Sequence, residues 1–298
     1  MNNRREFLLV TSAFPALLSG RTDPQAFKAG TCLGGRDEEG FWKNTENAKA
    51  AGFRNIESSG AGVRLADLYE GRSAEFKQQL EKRQLNLVGY AQYSPMSDRS
   101  AVKQLIDLHL RIARVLAPLG TGYITQLLTP PPKAGVPPAK LPAAMTPEEI
   151  RNFTANLNDV AKSLRTQTKL RIGFHAETPE VAAGLLGAVM EGTDPKYFDL
   201  VADVGHIAAG GLDPLEICHK YRSRIVAVHL RDWDPSATYE RNGEQITGRF
   251  VPLGEGKIDL PKLVDFLRNT NFSGEVNAEG GGLAPSFNYM TKKLSIQT

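Results

Sequence analysis

After Pro24 the chain alternates short apolar runs, rich in β-branched and aromatic residues, with longer amphipathic ones, and the alternation repeats eight times. A strand, a helix and a further strand in that order make a parallel pair, so eight repeats leave few architectures open. The strand candidates are 27–33, 53–58, 85–93, 123–128, 170–177, 200–203, 225–230 and 275–279. Helix candidates lie between them at about 38–51, 64–84, 98–117, 147–167, 179–191, 213–221 and 259–270, with a last one after Pro285. Thr146-Pro147-Glu148-Glu149 supplies a capping Thr, a Pro at the first helical position and acids in the first turn. Asp213-Pro214 and Asp259 open two more helices in the same way.

This pattern predicts an α/β protein, a single-domain (β/α)8 TIM barrel over 26–298. The competing fold, an open doubly wound sheet, wants a Gly-rich phosphate loop after its first strand. Here that turn reads Cys32-Leu33-Gly34-Gly35-Arg36, with no G-x-G-x-x-G and no Walker lysine. Two stretches break the rhythm, a Pro-rich run at 129–142 and a polar run at 231–257, and both follow strands, on the side where such barrels carry functional loops.

The segment 1–25 reads as a leader. Arg4-Arg5-Glu6-Phe7-Leu8 opens an uncharged apolar run to Leu18, the layout of an export signal, and the paired arginines resemble a twin-arginine signal. That run is about half the ~20 residues needed to span a bilayer, so no stable membrane anchor is expected. No clear cleavage site follows. Twin-arginine substrates cross the membrane folded and often loaded with a cofactor, so the resemblance implies an exported, periplasmic protein with a bound group.

Strand interiors of a barrel are apolar, so polar residues at strand C-terminal ends need a reason. Strand two supplies Glu57, strand three Gln92, strand four Gln126, strand five His175 and Glu177, strand six Asp203 and then His206, strand seven His229 and strand eight Glu279. Acids and imidazoles from four consecutive strands converge on one mouth, where the carboxylates repel unless a cation compensates. The metal ligands expected are Asp203, His229, Glu279 and one or both of His175 and Glu177. Oxygen and nitrogen donors without a thiolate suit Mn, Co, Mg, Fe or Zn alike. His206 is a candidate partner to a ligand, substrate contact or proton carrier. His109 and His219 fall on helices, away from the site. Cys32 and Cys218 are expected to be plain buried thiols. With 36 Lys and Arg against 33 Asp and Glu, scattered along the chain, nucleic acid is not an expected partner.

Asp203-Val204-Gly205-His206, Ala209-Gly210-Gly211-Leu212-Asp213-Pro214, Val228-His229-Leu230-Arg231-Asp232, 251–259 and Gly274-Glu275-Val276-Asn277-Ala278-Glu279 resemble motifs of the xylose-isomerase-like sugar phosphate isomerase/epimerase superfamily. The likeness covers about 25–290 and is densest after 170. It implies the same metal ligands, though His175-Ala176-Glu177 departs from the usual strand-five pattern. It implies a carbohydrate substrate whose α proton is removed by Glu177 or Glu279, through an ene-diolate. His206 and Arg231 would steady substrate oxygens, with Glu57, Gln92 and Gln126 as further contacts. The outcome is isomerisation or epimerisation, or, as the alternative, dehydration of an inosose or 3-keto-glycoside. Endonuclease IV shares the fold but needs further histidines on early strands, where this chain has Glu57 and Gln92. A non-catalytic carbohydrate-binding barrel is the alternative of another class. Export favours free sugars, keto-sugars or cyclitols over sugar phosphates. Trp233 and Tyr239 offer their faces to a sugar ring or to their own loop, and association with copies of the chain stays open.

Overall fold

The computed structural model describes residues 27–128, 145–241 and 244–298, so the leader and the Pro-rich run lie outside the described residues. The strands are β1 (Ala29–Gly35), β2 (Asn55–Gly62), β3 (Asn86–Tyr93), β4 (Tyr123–Leu127), β5 (Arg171–His175), β6 (Phe198–Asp203), β7 (Ile225–Leu230), β8 (Asp232–Arg241), β9 (Glu244–Val251) and β10 (Glu275–Ala278). All but β8 and β9 form one closed parallel barrel, ordered β1-β10-β7-β6-β5-β4-β3-β2. These are the eight strands expected from the sequence, displaced by a few residues at most.

The helices are α1 (Glu38–Ala51), α2 (Leu65–Leu68), α3 (Ser73–Arg83), α4 (Val102–Leu116), α5 (Pro147–Gln167), α6 (Thr178–Ala182), α7 (Leu185–Gly192), α8 (Val204–Ala209), α9 (Pro214–Lys220), α10 (Leu260–Asn269) and α11 (Leu283–Asn288). Caps set the best-defined boundaries. The Asp37 carboxylate accepts from Gly40 N at 2.8 Å at the start of α1, and Thr146 with Glu149 forms a reciprocal capping box on α5. Two expected helices are each divided. The 64–84 candidate breaks around Gly71 (φ 73°) into α2 and α3, and the 179–191 candidate breaks at Gly184 (φ 77°) into α6 and α7. These left-handed turns suit glycine and end the helical path.

The core is the shell between strands and helices, with Phe41, Phe53, Phe76, Phe153, Phe174 and Phe198 among its largest fully buried side chains. Inside the barrel, two glycines make room for larger neighbours. A Cβ at Gly89 would lie 2.4 Å from the Tyr123 ring, and one at Gly30 would lie 1.9 Å from Asn277 Oδ1. Among the described residues no helix is long and apolar enough to cross a membrane.

The polar run 231–257 holds a structure the sequence reading missed. β8 and β9 pair as an antiparallel hairpin after β7, with Trp233 opposite Phe250. Asp232, 1% exposed, anchors its base: its carboxylate accepts from the backbone N–H groups of Trp233, Gly254, Gly256 and Ile258 at 2.9–3.3 Å. Asp232→Ala strands these donors and is expected to cost about 3 kcal/mol, since unpaired buried donors are expensive. Chemical denaturation measures the loss, and hydrogen exchange should rise first at 252–258.

Candidate metal centre and active site

Each strand delivers its side chain to the mouth by the two-residue alternation of an extended chain. β5 ends in His175, β6 in Asp203, β7 carries His229, and Glu279 follows β10, its N–H bonded to Leu230 O at 3.0 Å. One potential ligand atom from each of His175, Asp203, His229 and Glu279 lies within 4.8 Å of all the others. Three of the four are buried, and the Glu279 side chain is 27% exposed. His175 Nε2 stands 3.5 Å from Asp203 Oδ2 and 3.8 Å from Glu279 Oε2, and His229 Nδ1 stands 2.8 Å from Glu279 Oε2.

Glu177 is not part of that group. Its Oε2 lies 3.0 Å from His206 Nε2, and its Oε1 lies 3.8 Å from His175 Nδ1. His206 is tightly fixed: Thr178 N donates to its Nδ1 at 3.1 Å and Thr178 Oγ1 lies 2.8 Å away. A backbone N–H can only donate, so the neutral His206 ring carries its proton on Nε2, facing Glu177. Of the two strand-five candidates, His175 therefore joins the cluster, and Glu177 forms a neighbouring pair with His206.

Arg231 bridges the acids. Its Nε lies 3.1 Å from Asp203 Oδ2 and its Nη2 lies 2.5 Å from Glu279 Oε1. The expected substrate contact is thus committed to two carboxylates of the cluster. Gly205 lets the Arg231 stem pass, since a Cβ there would lie 2.7 Å from it. Charge in the cluster is mutually supported. Burial opposes ionisation of Asp203 and Glu279, but Arg231 foremost, helped by the neighbouring histidines, holds both well below the usual carboxylate range. Burial likewise opposes charge on His175, yet the Asp203 and Glu279 carboxylates beside its Nε2 raise it to about 10.

Three expected substrate contacts lie elsewhere. Glu57, 1% exposed, is deep inside the barrel, and its oxygens are taken by Tyr123, Thr125, Asn277 and His229. Gln126 is fully buried on the outer face of β4, its Oε1 3.0 Å from His109 Nε2 in α4. Gln92 shares the outer face of β3 with Tyr90, whose hydroxyl accepts from Ala66 N in α2, and its own amide donates to Tyr93 O. The cause is strand parity, because neighbouring residues on a strand point to opposite sides. His109 and His219 stay outside the site as expected; His109 also bonds Leu105 O, and exposed His219 packs on Phe266.

Sequence reasoning passed over Phe250, Tyr123, Thr125 and Asn277. The Phe250 ring walls the mouth, 4.9 Å from His206 and 4.8 Å from the Arg231 guanidinium, and Trp233 packs on it at 5.2 Å. Trp233 therefore supports its own hairpin. Asn242-Gly243, lying between β8 and β9 in sequence, is the dipeptide signal that would have found it. Cys32 is more than a plain thiol: its Sγ lies 3.6 Å from His229 Nε2, and burial raises its pKa, keeping it protonated. Cys32, Glu57 and His229 also meet metal-ligand spacing. Yet Glu57 Oε2 and His229 Nε2 are already bonded to each other at 2.8 Å, so those donors are spent.

The four clustered residues fit a divalent cation. His229 Nδ1 is buried with no hydrogen-bond partner. Since Glu57 accepts from Nε2 of His229, the Nδ1 lone pair of the neutral ring faces the Glu279 carboxylate, and two acceptors 2.8 Å apart require a proton or a cation there.

A family model for the xylose isomerase-like TIM barrel matches residues 45–285. The chain belongs to this family. An inosose dehydratase of Geobacillus kaustophilus (strain HTA426) is 34% identical over 118 residues, 37% of this chain and 38% of that protein. An inosose dehydratase of Bacillus cereus (strain AH820) is 27% identical over 251 residues, 78% of this chain and 82% of that protein. A xylose isomerase-like TIM-barrel protein from Mycobacterium smegmatis, solved in complex with magnesium, superposes with a TM-score of 0.68 at 14% identity, covering 92% of this chain and 97% of that one.

Proposed function

We propose that this xylose isomerase-like barrel is a divalent-metal-dependent isomerase or epimerase of a sugar, keto-sugar or cyclitol. The observation that carries the reading is the cluster of His175, Asp203, His229 and Glu279, with two further proton-carrying groups, Glu177 and His206, beside it. A divalent cation held by those four residues would draw electron density from a substrate carbonyl and make the neighbouring C–H acidic.

The chain's own groups supply the proton chemistry. Glu177 and Glu279 stand at the two nitrogens of the His175 ring, two carboxylates at one mouth, and these are the candidates to take up and return the α proton. Glu177 is 36% exposed on its side chain and keeps its orientation through the Nε2–H of His206. Arg231 holds Glu279 ionised, as a base must be. Phe250, braced by Trp233, forms an apolar wall on one side of the mouth. Return of the proton to the same carbon gives an epimer, and return to the next carbon gives an isomer.

Dehydration is the second reading, favoured by the two inosose dehydratase relatives. It uses the same proton removal followed by loss of a β-hydroxyl. One experiment separates the outcomes. The metal-loaded protein is incubated in D2O with a panel of free ketoses, inososes and 3-keto-glucosides, and proton NMR follows the α position. Deuterium uptake with an inverted or shifted centre is expected; uptake with loss of water assigns the dehydratase. Treatment with a chelator should abolish both, and re-addition of Mn2+ should restore them. Carbohydrate binding that survives chelation, with no deuterium uptake from any compound, would sink the enzyme reading and leave a binding barrel.

Export is proposed on Arg4-Arg5-Glu6-Phe7-Leu8 alone. Replacing Arg4 and Arg5 by Lys is expected to retain the protein inside the cell, and fractionation finding the variant exported as usual removes that proposal.

A further inference from the structure

A carboxylate that is fully buried and bonded by four donors is an unusual object to find inside a barrel. Glu57 Oε1 accepts from Thr125 Oγ1 at 2.6 Å, while Oε2 accepts from Tyr123 O–H at 2.5 Å, Asn277 Nδ2 at 3.1 Å and His229 Nε2 at 2.8 Å. Asn277 Nδ2 also donates to the Tyr123 oxygen at 2.8 Å, which leaves that hydroxyl its own proton to give to Glu57. Tyr123 and Asn277 both direct hydrogens at Oε2 and Thr125 directs one at Oε1, so the carboxylate faces the His229 ring as an acceptor.

With Oε2 acting as an acceptor, the ring nitrogen facing it must carry a hydrogen. That fixes Nε2–H on His229 and places the lone pair of the neutral ring on Nδ1, which is buried, without a donor, and 2.8 Å from Glu279 Oε2. Thr125, Tyr123 and Asn277 keep the carboxylate from turning away, so ring orientation and proton position are set together. The negative charge behind the imidazole also makes Nδ1 a stronger electron donor. Cys32, the other group near Nε2 at 3.6 Å, is a neutral thiol and offers only a weak acceptor.

We infer that Glu57 is a positioning residue, which acts through His229 by fixing its tautomer and committing Nδ1 to the cation. The inference rests on the metal-centre reading above and adds to it the residue that sets affinity from beneath the site.

The test is calorimetric titration of Mn2+ into the metal-stripped full chain, alongside circular dichroism to confirm folding. Glu57→Gln keeps an acceptor but loses the charge, and is expected to bind Mn2+ about 10-fold more weakly; Glu57→Met loses both and should fall by about 100-fold. In the zinc-loaded protein, proton–nitrogen NMR should show the His229 ring with its hydrogen on Nε2, a signature weakened in Glu57→Met. If Glu57→Met does not fold, Glu57→Gln decides: wild-type Mn2+ affinity in that variant overturns the inference. Wild-type protein that binds no Mn2+ overturns the metal-centre reading itself, and the inference with it.

Discussion

Glu279→Gln is expected to give a folded barrel with no measurable turnover and weakened Mn2+ binding. Glu279 lies past the end of β10 at the mouth, outside the apolar core, so the fold should survive the change. The amide costs the site twice. It cannot serve as a base, a loss worth on the order of 10²–10⁴ in kcat. Its N–H2 can also donate to His229 Nδ1, 2.8 Å away in the native arrangement, and so occupy the lone pair the cation needs. Arg231 is left with Asp203 as its remaining partner in the cluster. Kinetics with the ketone identified by deuterium uptake, and titration of Mn2+, measure the two losses separately. Normal turnover would remove Glu279 from both roles.

Glu177→Gln should separate what Glu279→Gln combines. Glu177 is outside the four-residue group, and its bond to His206 Nε2–H needs only an acceptor, which Gln still offers. Mn2+ affinity should stay at the wild-type value while kcat falls by about 10²–10⁴. Loss of metal affinity in this variant would place Glu177 among the ligands, and unchanged kcat would end its part in proton transfer.

Much of the fold was legible because its signals are local. Asp37 and the Thr146–Glu149 box mark helix starts by capping chemistry, and α1 and α5 begin and end where the sequence predicts. The broken helices were harder: Gly71 and Gly184 act as stops only because their φ angles are positive, which the surrounding chain decides. The hairpin β8–β9 lay hidden in a mostly polar run whose few apolar residues, Trp233, Ile246 and Phe250 among them, show no strand-like alternation, despite its Asn-Gly dipeptide. Its anchor is Asp232, whose partners lie 22 to 26 residues further along apart from Trp233.

At the site, the sequence indicated which strand ends carry chemistry but not which way each side chain points. β4 reads Tyr-Ile-Thr-Gln-Leu, with polar atoms on both parities, so nothing in it favours Gln126 inward or outward. The structure turns Tyr123 and Thr125 in, toward Glu57, and Gln126 out, toward His109. Glu57 was found correctly as a polar strand residue and misplaced by depth, because the groups that satisfy it come from β4, β7 and β10.

The two interior glycines make the barrel's inside behave as one inherited unit. Gly89 exists opposite the bulk of Tyr123, and Gly30 opposite the Asn277 amide, and both of those side chains reach Glu57. A mutation that adds a methyl group at either glycine must displace a group that holds the carboxylate, and through it the His229 ring. Drift at these positions is therefore constrained to compensated pairs: Gly89→Ala should be tolerated better beside a smaller residue at 123 than alone, with a strongly non-additive double-mutant cycle. Retuning the metal through this layer would require changing residues 30, 89, 123 and 277 together, beneath the ligand rather than among the ligands.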